Sequence, residues 1–145
     1  MGRIFVVYFS GTGNTKKMAE LVAEGARGAG KHEVKLVDVR EVDLAELVAA
    51  DGYAFGSPDY FTYMAGEMKT LFDRALSQVK KLKGKPFVSF VSHGGGGGAI
   101  ESLDRLGKAV GLEKVADGVK SQGAPAKEAA EACRKLGEAL AEATP

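Results

Sequence analysis

Apolar runs and apolar stripes alternate along this chain. Short runs of β-branched and aromatic residues, beginning with residues 4–9, predict strands that are buried on both faces. Between these runs, apolar positions recur every three or four residues, which predicts helices with one buried face. The most regular stripe is formed by Met68, Leu71, Phe72, Ala75, Leu76 and Val79. Strands that alternate with helices are typical of an open parallel sheet covered by helices on both sides.

The same pattern places the elements. Strands are predicted at residues 4–9, 34–39, 52–56, 87–91 and 115–119, the last being interrupted by Asp117 and Gly118. Helices are predicted at residues 15–29, 43–48, 68–79, 100–110 and 126–143. Pro58 is expected to stop the third strand. Right-handed crossovers put all carboxyl ends of the strands at one edge, which is where ligands bind in such sheets. The loops at residues 10–15, 57–63 and 92–98 therefore gather there.

The loop between the first strand and the first helix has the chemistry of a phosphate site. It consists of Ser10, Gly11, Thr12, Gly13, Asn14 and Thr15, and is called the hydroxyl loop below. Glycines let backbone N–H groups turn inward, hydroxyls add donors, and the helix N-terminus adds positive potential. A plain strand–turn–helix connection is the alternative.

Two familiar nucleotide motifs do not fit this loop. A P-loop requires a later glycine followed by lysine and a hydroxyl residue, and a dinucleotide fingerprint requires a third glycine where Lys16 stands. Asp38, in the region of a ribose-binding acid, is accordingly expected to be a strand-end residue.

Composition narrows the function further. The 145 residues are expected to form one domain, residues 1–145, with a net charge of +1 and no polybasic block, which disfavours nucleic-acid and membrane-surface partners. The one cysteine, Cys133, excludes a disulfide framework and multi-cysteine metal sites and is expected in the core, and no metal site is predicted. No signal peptide or membrane insertion is predicted, so a cytoplasmic location is expected. His32 is expected to face solvent.

The run of residues 6–15, with Ala19 and Val22 on the following helix, resembles the FMN-phosphate signature of the flavodoxin family. The resemblance extends in order along essentially the whole chain and is of the short-chain type. It implies a doubly wound, five-stranded parallel sheet of order 2-1-3-4-5 and FMN as the cofactor. By this resemblance, Ser10, Thr12, Asn14 and Thr15 bind the phosphate, and Gly13 shapes the turn.

The segment at residues 56–66 is similar to the Gly-Ser-Pro-x-Tyr segment of the flavodoxin-like superfamily, most of all in its reductase and quinone-reductase branches. In the family, this loop and the loop after the fourth strand line the flavin ring. The resemblance thus implies further FMN contacts at Ser57, Pro58, Asp59, Tyr60, Phe61 and Tyr63, and at Ser92, His93, Gly94, Gly95 and Gly96. Tyr60 is the first candidate for ring stacking. At least one aromatic is expected to plug the sheet edge instead, and a flexible connector is the alternative for the glycines.

The resulting functional hypothesis is electron transfer through FMN to or from redox partner proteins, by a monomer or small homo-oligomer. The first alternative is an NAD(P)H- or quinone-linked FMN oxidoreductase, which the open glycine loop, His93 and the lack of acidic bias favour. A binding module without FMN is the second alternative. No catalytic residue is assigned. His93 is the one candidate, with a hydrogen-bonded loop histidine as its alternative.

Overall fold

Strands and helices alternate throughout residues 2–145, which the computed structural model describes. The strands are β1 (Gly2–Tyr8), β2 (His32–Asp38), β3 (Gly52–Pro58), β4 (Pro86–His93), β5 (Glu113–Lys114) and β6 (Val119–Gln122). The α-helices are α1 (Asn14–Gly28), α2 (Leu44–Val48), α3 (Gly66–Ala75), α4 (Val79–Leu82), α5 (Ala99–Ala109) and α6 (Lys127–Ala143). Short 3₁₀ turns occupy Val39–Glu41 and Leu76–Gln78.

All strand pairs of the sheet are parallel, in the order β2-β1-β3-β4-β5, so the predicted topology is confirmed. The fifth position differs in detail from the prediction. β5 pairs with the beginning of β4 and β6 with its end, so one edge strand is broken between them. The predicted segment at residues 115–119 is mostly this break, because Asp117 and Gly118 cannot continue a paired apolar strand.

Two cores lie on opposite faces of the sheet. The core beneath α3 and α5 is aromatic and includes Tyr53, Phe55, Phe72 and Phe87. The core beneath α1 and α6 consists mainly of small and aliphatic residues, with Tyr8 and Phe90 as its aromatic members, and includes Cys133, as expected. Burial raises the pKa of the Cys133 thiol to about 11, so this thiol stays protonated and behaves as a small apolar group.

Glycines bring α1 and α6 together backbone to backbone. A Cβ at Gly25 would lie 1.9 Å from the Arg134 carbonyl oxygen, and a Cβ at Gly137 would lie 2.0 Å from the Val22 carbonyl oxygen. Real side chains cannot fit at such distances, so these two positions require glycine. The close pairing fixes the position of α1, whose N-terminus meets the hydroxyl loop.

Two predicted boundaries were wrong. The helix expected at residues 68–79 turns into a 3₁₀ segment after Ala75, and Leu76, expected on the buried face, is 59% exposed. The apolar face resumes in α4, where Leu82 is buried. Pro58 does not stop β3, because the strand needs no N–H from Pro58 and the next residue, Asp59, still donates its N–H to Ser92 O at 2.8 Å.

None of the helices within residues 2–145 combines the length and apolar character needed to cross a bilayer.

Candidate functional site

Three loops lie side by side at the carboxyl edge of the sheet, because β1, β3 and β4 are neighbours in it. They are the hydroxyl loop after β1, a turn after β3 and the glycine loop (residues 94–98) after β4. The turn, residues 60–63, is called the aromatic hairpin below. The sequence-predicted contacts with a phosphate and with a ring thus occupy one continuous region.

The hydroxyl loop is organised by the side chain of Ser10. Its Oγ accepts hydrogen bonds from the backbone N–H groups of Gly13, at 3.1 Å, and Lys16, at 3.2 Å. Gly13 has a φ of 100°, a left-handed conformation that favours glycine. The loop therefore turns backbone donors toward a single oxygen, which is the arrangement that an anionic oxygen requires.

The electrostatics distinguish α1 from the other helices that begin near this edge. The first turns of α3, α5 and α6 each contain an acidic residue, namely Glu67, Glu101 and Glu128. The first turn of α1 contains none and carries Lys16 and Lys17 instead. No acidic side chain of the first turn therefore neutralises the positive potential at the start of α1, which suits a bound phosphate.

A buried pair of hydroxyls joins the hydroxyl loop to β4. Thr15 Oγ1 and Ser92 Oγ lie 2.7 Å apart, and the two residues are only 1% and 6% exposed. Ser92 thus lies beside the hydroxyl loop with its hydroxyl facing Thr15, whereas the resemblance implied a contact with the ring. The hydroxyl of Ser57 is also used within the protein: it accepts from Ala65 N–H and donates to Pro58 O, both at 2.8 Å, which shapes the turn after β3.

The aromatic hairpin is a tight turn with an unusual backbone. Tyr60 and Tyr63 form a two-residue bridge, and Phe61 and Thr62 between them have φ values of 57° and 64°. Two successive left-handed residues define a type I′ turn, which normally takes Asn and Gly and costs about 1–2 kcal/mol per ordinary residue. Phe61 is fully exposed and Tyr60 partly so, whereas Tyr63 packs against the aromatic core. At least one ring therefore plugs the sheet edge.

Tyr60 leans over the hydroxyl loop. A Cβ at Gly11 would lie 2.5 Å from the Tyr60 hydroxyl oxygen, so the second residue of the loop must be glycine for this contact to exist. The tyrosine ring thereby lies next to the phosphate region, where an aromatic face can cover a planar ligand.

Asp59 connects the aromatic hairpin to the glycine loop. Its Oδ2 accepts the N–H of Gly97 at 2.8 Å, and Gly97 adopts a φ of 78° to make this contact. The other oxygen, Asp59 Oδ1, is buried and has no hydrogen-bond partner among residues 2–145. A buried carboxylate oxygen without a donor is costly. An acceptor left free between the aromatic hairpin and the glycine loop fits a ligand that carries N–H or O–H donors, as FMN does.

The glycine loop is mostly exposed to solvent and is held by hydrogen bonds with Asp59, His93 and Gln122. Gly94, Gly95 and Gly96 are exposed, and the loop contains no aromatic residue. His93 Nδ1 accepts the N–H of Gly96 at 3.1 Å, so the neutral ring carries its proton on Nε2. The geometry thus supports the hydrogen-bonded loop histidine over the catalytic one.

Two residues that belong to no recognisable motif also contact the glycine loop. Gln122 Nε2 donates to Gly94 O at 3.3 Å, and the stem of Lys120 lies against Gly97. Both residues belong to β6, whose position was not predicted correctly. Only the pairing of β6 with the end of β4 brings them to the site.

Two polar side chains outside the site, those of Asp38 and His32, make structural hydrogen bonds. Asp38 caps the 3₁₀ turn after β2 and bonds the Arg40 guanidinium, which keeps the pKa of Asp38 below its usual value, so it is a strand-end residue as expected. His32, expected to face solvent, instead joins two elements: its Nδ1 accepts Gly2 N–H and its Nε2 bonds Ala141 O, both at 3.1 Å. The expectation failed because His32 begins β2 and does not lie in a turn.

Known proteins are similar to this chain in sequence and in fold. The profile of the flavodoxin family matches residues 6–137. A flavodoxin of Aquifex aeolicus is 39% identical, with 98% of this chain and 86% of the relative aligned. The structure of a flavodoxin from the domain Archaea superimposes with a TM-score of 0.88 at 27% identity, covering 97% of this chain and 96% of that one. A quinone oxidoreductase, QR2 of Triphysaria versicolor, is 34% identical over 69% of this chain, which spans 60% of its length.

The family profile covers all three loops of the carboxyl edge, and the Aquifex relative aligns over nearly the whole chain. The chain therefore belongs to the flavodoxin family of FMN-binding electron-transfer proteins.

Proposed function

We propose that this protein binds FMN across the three loops of the carboxyl edge and uses it to carry electrons between redox partner proteins. The hydroxyl loop holds the phosphate, and Tyr60 and the glycine loop flank the isoalloxazine ring. The redox chemistry is that of the flavin, whereas the protein orients it and sets its electrostatic surroundings. The observation that carries the proposal is the start of α1, where a loop curved around Ser10 Oγ, further hydroxyls and a helix N-terminus without an acidic residue in its first turn coincide.

The partner surface of this carrier is expected to be chemically mixed. The net charge is +1, and Phe61 is a fully exposed ring beside the flavin site. A carrier without strong net charge gains little from long-range steering. We expect the rate of electron transfer to a partner to change only slightly with ionic strength. The lone cysteine suits a reducing compartment, and we assign the protein to the cytoplasm.

The experiment begins with the absorption spectrum of the purified protein, which should show bound flavin. Apoprotein is then titrated with FMN and with riboflavin, and the quenching of flavin fluorescence is measured. FMN should bind at least about a hundredfold more tightly than riboflavin, because each charge-assisted hydrogen bond to phosphate is worth roughly 1.5–3 kcal/mol. A colourless protein that quenches neither flavin would refute FMN binding, and equal affinities would refute the phosphate assignment.

A second candidate function is an NAD(P)H- or quinone-linked reductase. It is favoured by the likeness to a quinone oxidoreductase and by the absence of an aromatic ring in the glycine loop, which leaves one side of the flavin site accessible. Steady-state oxidation of NADPH with a quinone acceptor distinguishes the two functions. Turnover at an enzymatic rate would favour the reductase. Absence of turnover, with reduction of the bound flavin in two separate one-electron steps, would favour the carrier.

A further inference from the structure

The buried hydroxyl pair of Thr15 and Ser92 contains one proton more than its own hydrogen bond can use. Each hydroxyl has one proton and two acceptor lone pairs, and only one of the two protons can lie between oxygens that are 2.7 Å apart. Neither hydroxyl makes another hydrogen bond to residues 2–145. The pair is almost fully buried, so the second proton cannot be satisfied freely by solvent.

The location of the pair indicates which hydroxyl carries the spare proton. Thr15 is the second residue of α1 and part of the hydroxyl loop, where backbone N–H groups converge on the oxygen of Ser10. Ser92 lies behind it, near the end of β4, and its own carbonyl oxygen already accepts Asp59 N–H. A ligand oxygen bound in the hydroxyl loop would therefore be near the Thr15 hydroxyl. The Ser92 hydroxyl, in contrast, has the Thr15 hydroxyl as its hydrogen-bond partner.

We infer that Ser92 is a positioning residue for the phosphate site: it donates to Thr15 Oγ1 and thereby leaves the Thr15 proton directed to a phosphate oxygen. The inference rests on the proposed FMN function and assigns Ser92 to the phosphate end of the ligand, whereas sequence reasoning placed it against the ring. Without Ser92, the Thr15 hydroxyl is free to rotate and loses its polarising donor. A chain of two hydroxyls that ends on an anion strengthens both of its hydrogen bonds.

The test compares FMN with riboflavin, which lacks the phosphate. Ser92→Ala should weaken FMN binding by about five- to tenfold, the effect of one hydrogen bond, and leave riboflavin binding within about twofold of the wild type. Equal weakening of both flavins would overturn the inference, because Ser92 would then act on the ring or on the fold. Unchanged binding of both would overturn it as well.

A matched control lies on the same strand. Ser89 is fully buried in β4, and its hydroxyl donates to Asp104 Oδ1 at 2.6 Å, away from the three loops. Ser89→Ala should alter the melting temperature of the apoprotein without changing the FMN-to-riboflavin ratio. If Ser92→Ala does not fold, Ser92→Cys retains nearly the same shape with only a weak donor and should give a smaller loss that is again selective for FMN.

A double-mutant cycle identifies the route of the effect. In a Thr15→Val background the hydroxyl that Ser92 positions is missing, so adding Ser92→Ala should change FMN affinity by less than about twofold. Additive losses would mean that Ser92 acts independently of Thr15 and would overturn the inference. Failure of the wild-type protein to bind FMN would refute the proposed function itself, whereas tight wild-type binding with an unselective Ser92→Ala variant refutes only the role of Ser92.

Discussion

The two edges of the sheet use the same kinds of polar side chain in opposite ways. At the amino edge the polar groups are satisfied within the protein: Asp51 accepts Arg3 N–H at 2.9 Å, and Lys85 Nζ donates to two carbonyl oxygens at the end of α2, Val48 O and Ala50 O. Burial lowers the pKa of Lys85, and the nearby Asp51 carboxylate opposes this shift. The polar groups named at the amino edge therefore stabilise the fold and have partners within the protein.

At the carboxyl edge several groups lack partners. Asp59 Oδ1 is buried without a donor, the Thr15–Ser92 pair has a surplus proton, and the Phe61–Thr62 backbone is strained. Such departures cost stability in a protein without ligand, so they persist where a ligand supplies the missing contacts. The difference teaches that unsatisfied groups, rather than polar groups as such, distinguish the edge at which we propose that FMN binds.

The largest expected effect comes from removing hydroxyls at one edge or the other. The double substitution Thr12→Val and Thr15→Val should weaken FMN binding by at least about a hundredfold, because buried phosphate oxygens lose charge-assisted hydrogen bonds. Thr144→Val is the matched change at the amino edge, where the Thr144 hydroxyl donates to Leu140 O at 2.7 Å. It should lower the free energy of unfolding by about 1 kcal/mol and leave FMN affinity unchanged. Fluorescence titration and urea denaturation measure the two effects. Equal FMN losses would contradict the distinction between the edges.

Two aspartates test the same distinction, since each accepts one backbone N–H. Asp51→Ala should lower the free energy of unfolding by about 1–2 kcal/mol with no effect on FMN. Asp59→Ala removes one hydrogen bond but also a buried oxygen without a partner, so the apoprotein should keep its stability while FMN affinity falls about tenfold. If Asp59→Ala destabilises the apoprotein as much as Asp51→Ala and FMN still binds normally, Asp59 is only a loop anchor.

The aromatic hairpin offers a change that should increase stability. Phe61→Asn together with Thr62→Gly installs the pair that a type I′ turn prefers and should raise the free energy of unfolding by about 1–2 kcal/mol. A thermal melt of the apoprotein measures this gain. Because the exposed Phe61 ring is lost, electron transfer to a partner should slow at the same time. A decrease in stability would show that the ring contributes more to the fold than its full exposure indicates.

The two histidines are expected to show the smallest difference in FMN affinity between the two edges. His32 uses both ring nitrogens, toward Gly2 and Ala141, whereas His93 uses only Nδ1, toward Gly96. His32→Ala should lower the free energy of unfolding by about 1–2 kcal/mol without affecting FMN. His93→Ala should weaken FMN about threefold, since one hydrogen bond of the glycine loop is lost. His93→Asn, which can retain an acceptor, should restore the affinity. No recovery in that variant would mean that the imidazole ring itself contacts the ligand.

Much of the fold could be predicted because burial leaves a pattern of apolar residues in the sequence. The apolar run of β1 and the stripe of α3 are visible in the sequence, since a strand buried on both faces is continuously apolar and a helix with one buried face is apolar every three or four residues. Leu76 and the broken edge strand could not be predicted in this way. Leu76 has the spacing of a buried helical residue, but the α-helix changes to a 3₁₀ turn at this position, so the Leu76 side chain does not face the core. β5 and β6 are too short for any period, and only their pairing with β4 defines them.

The sequence by itself determined the hydroxyl loop, the aromatic residues and the glycines, because the proposed phosphate site is local: its proposed donors belong to six consecutive residues and one helix start. The tertiary structure alone decided that Ser92 faces Thr15, that Asp59 holds Gly97 and that Lys120 and Gln122 reach the glycine loop. These pairs are distant along the chain, and a hydrogen bond depends on distance and direction in space. Such partners become neighbours only when parallel strands end at the same edge of the sheet.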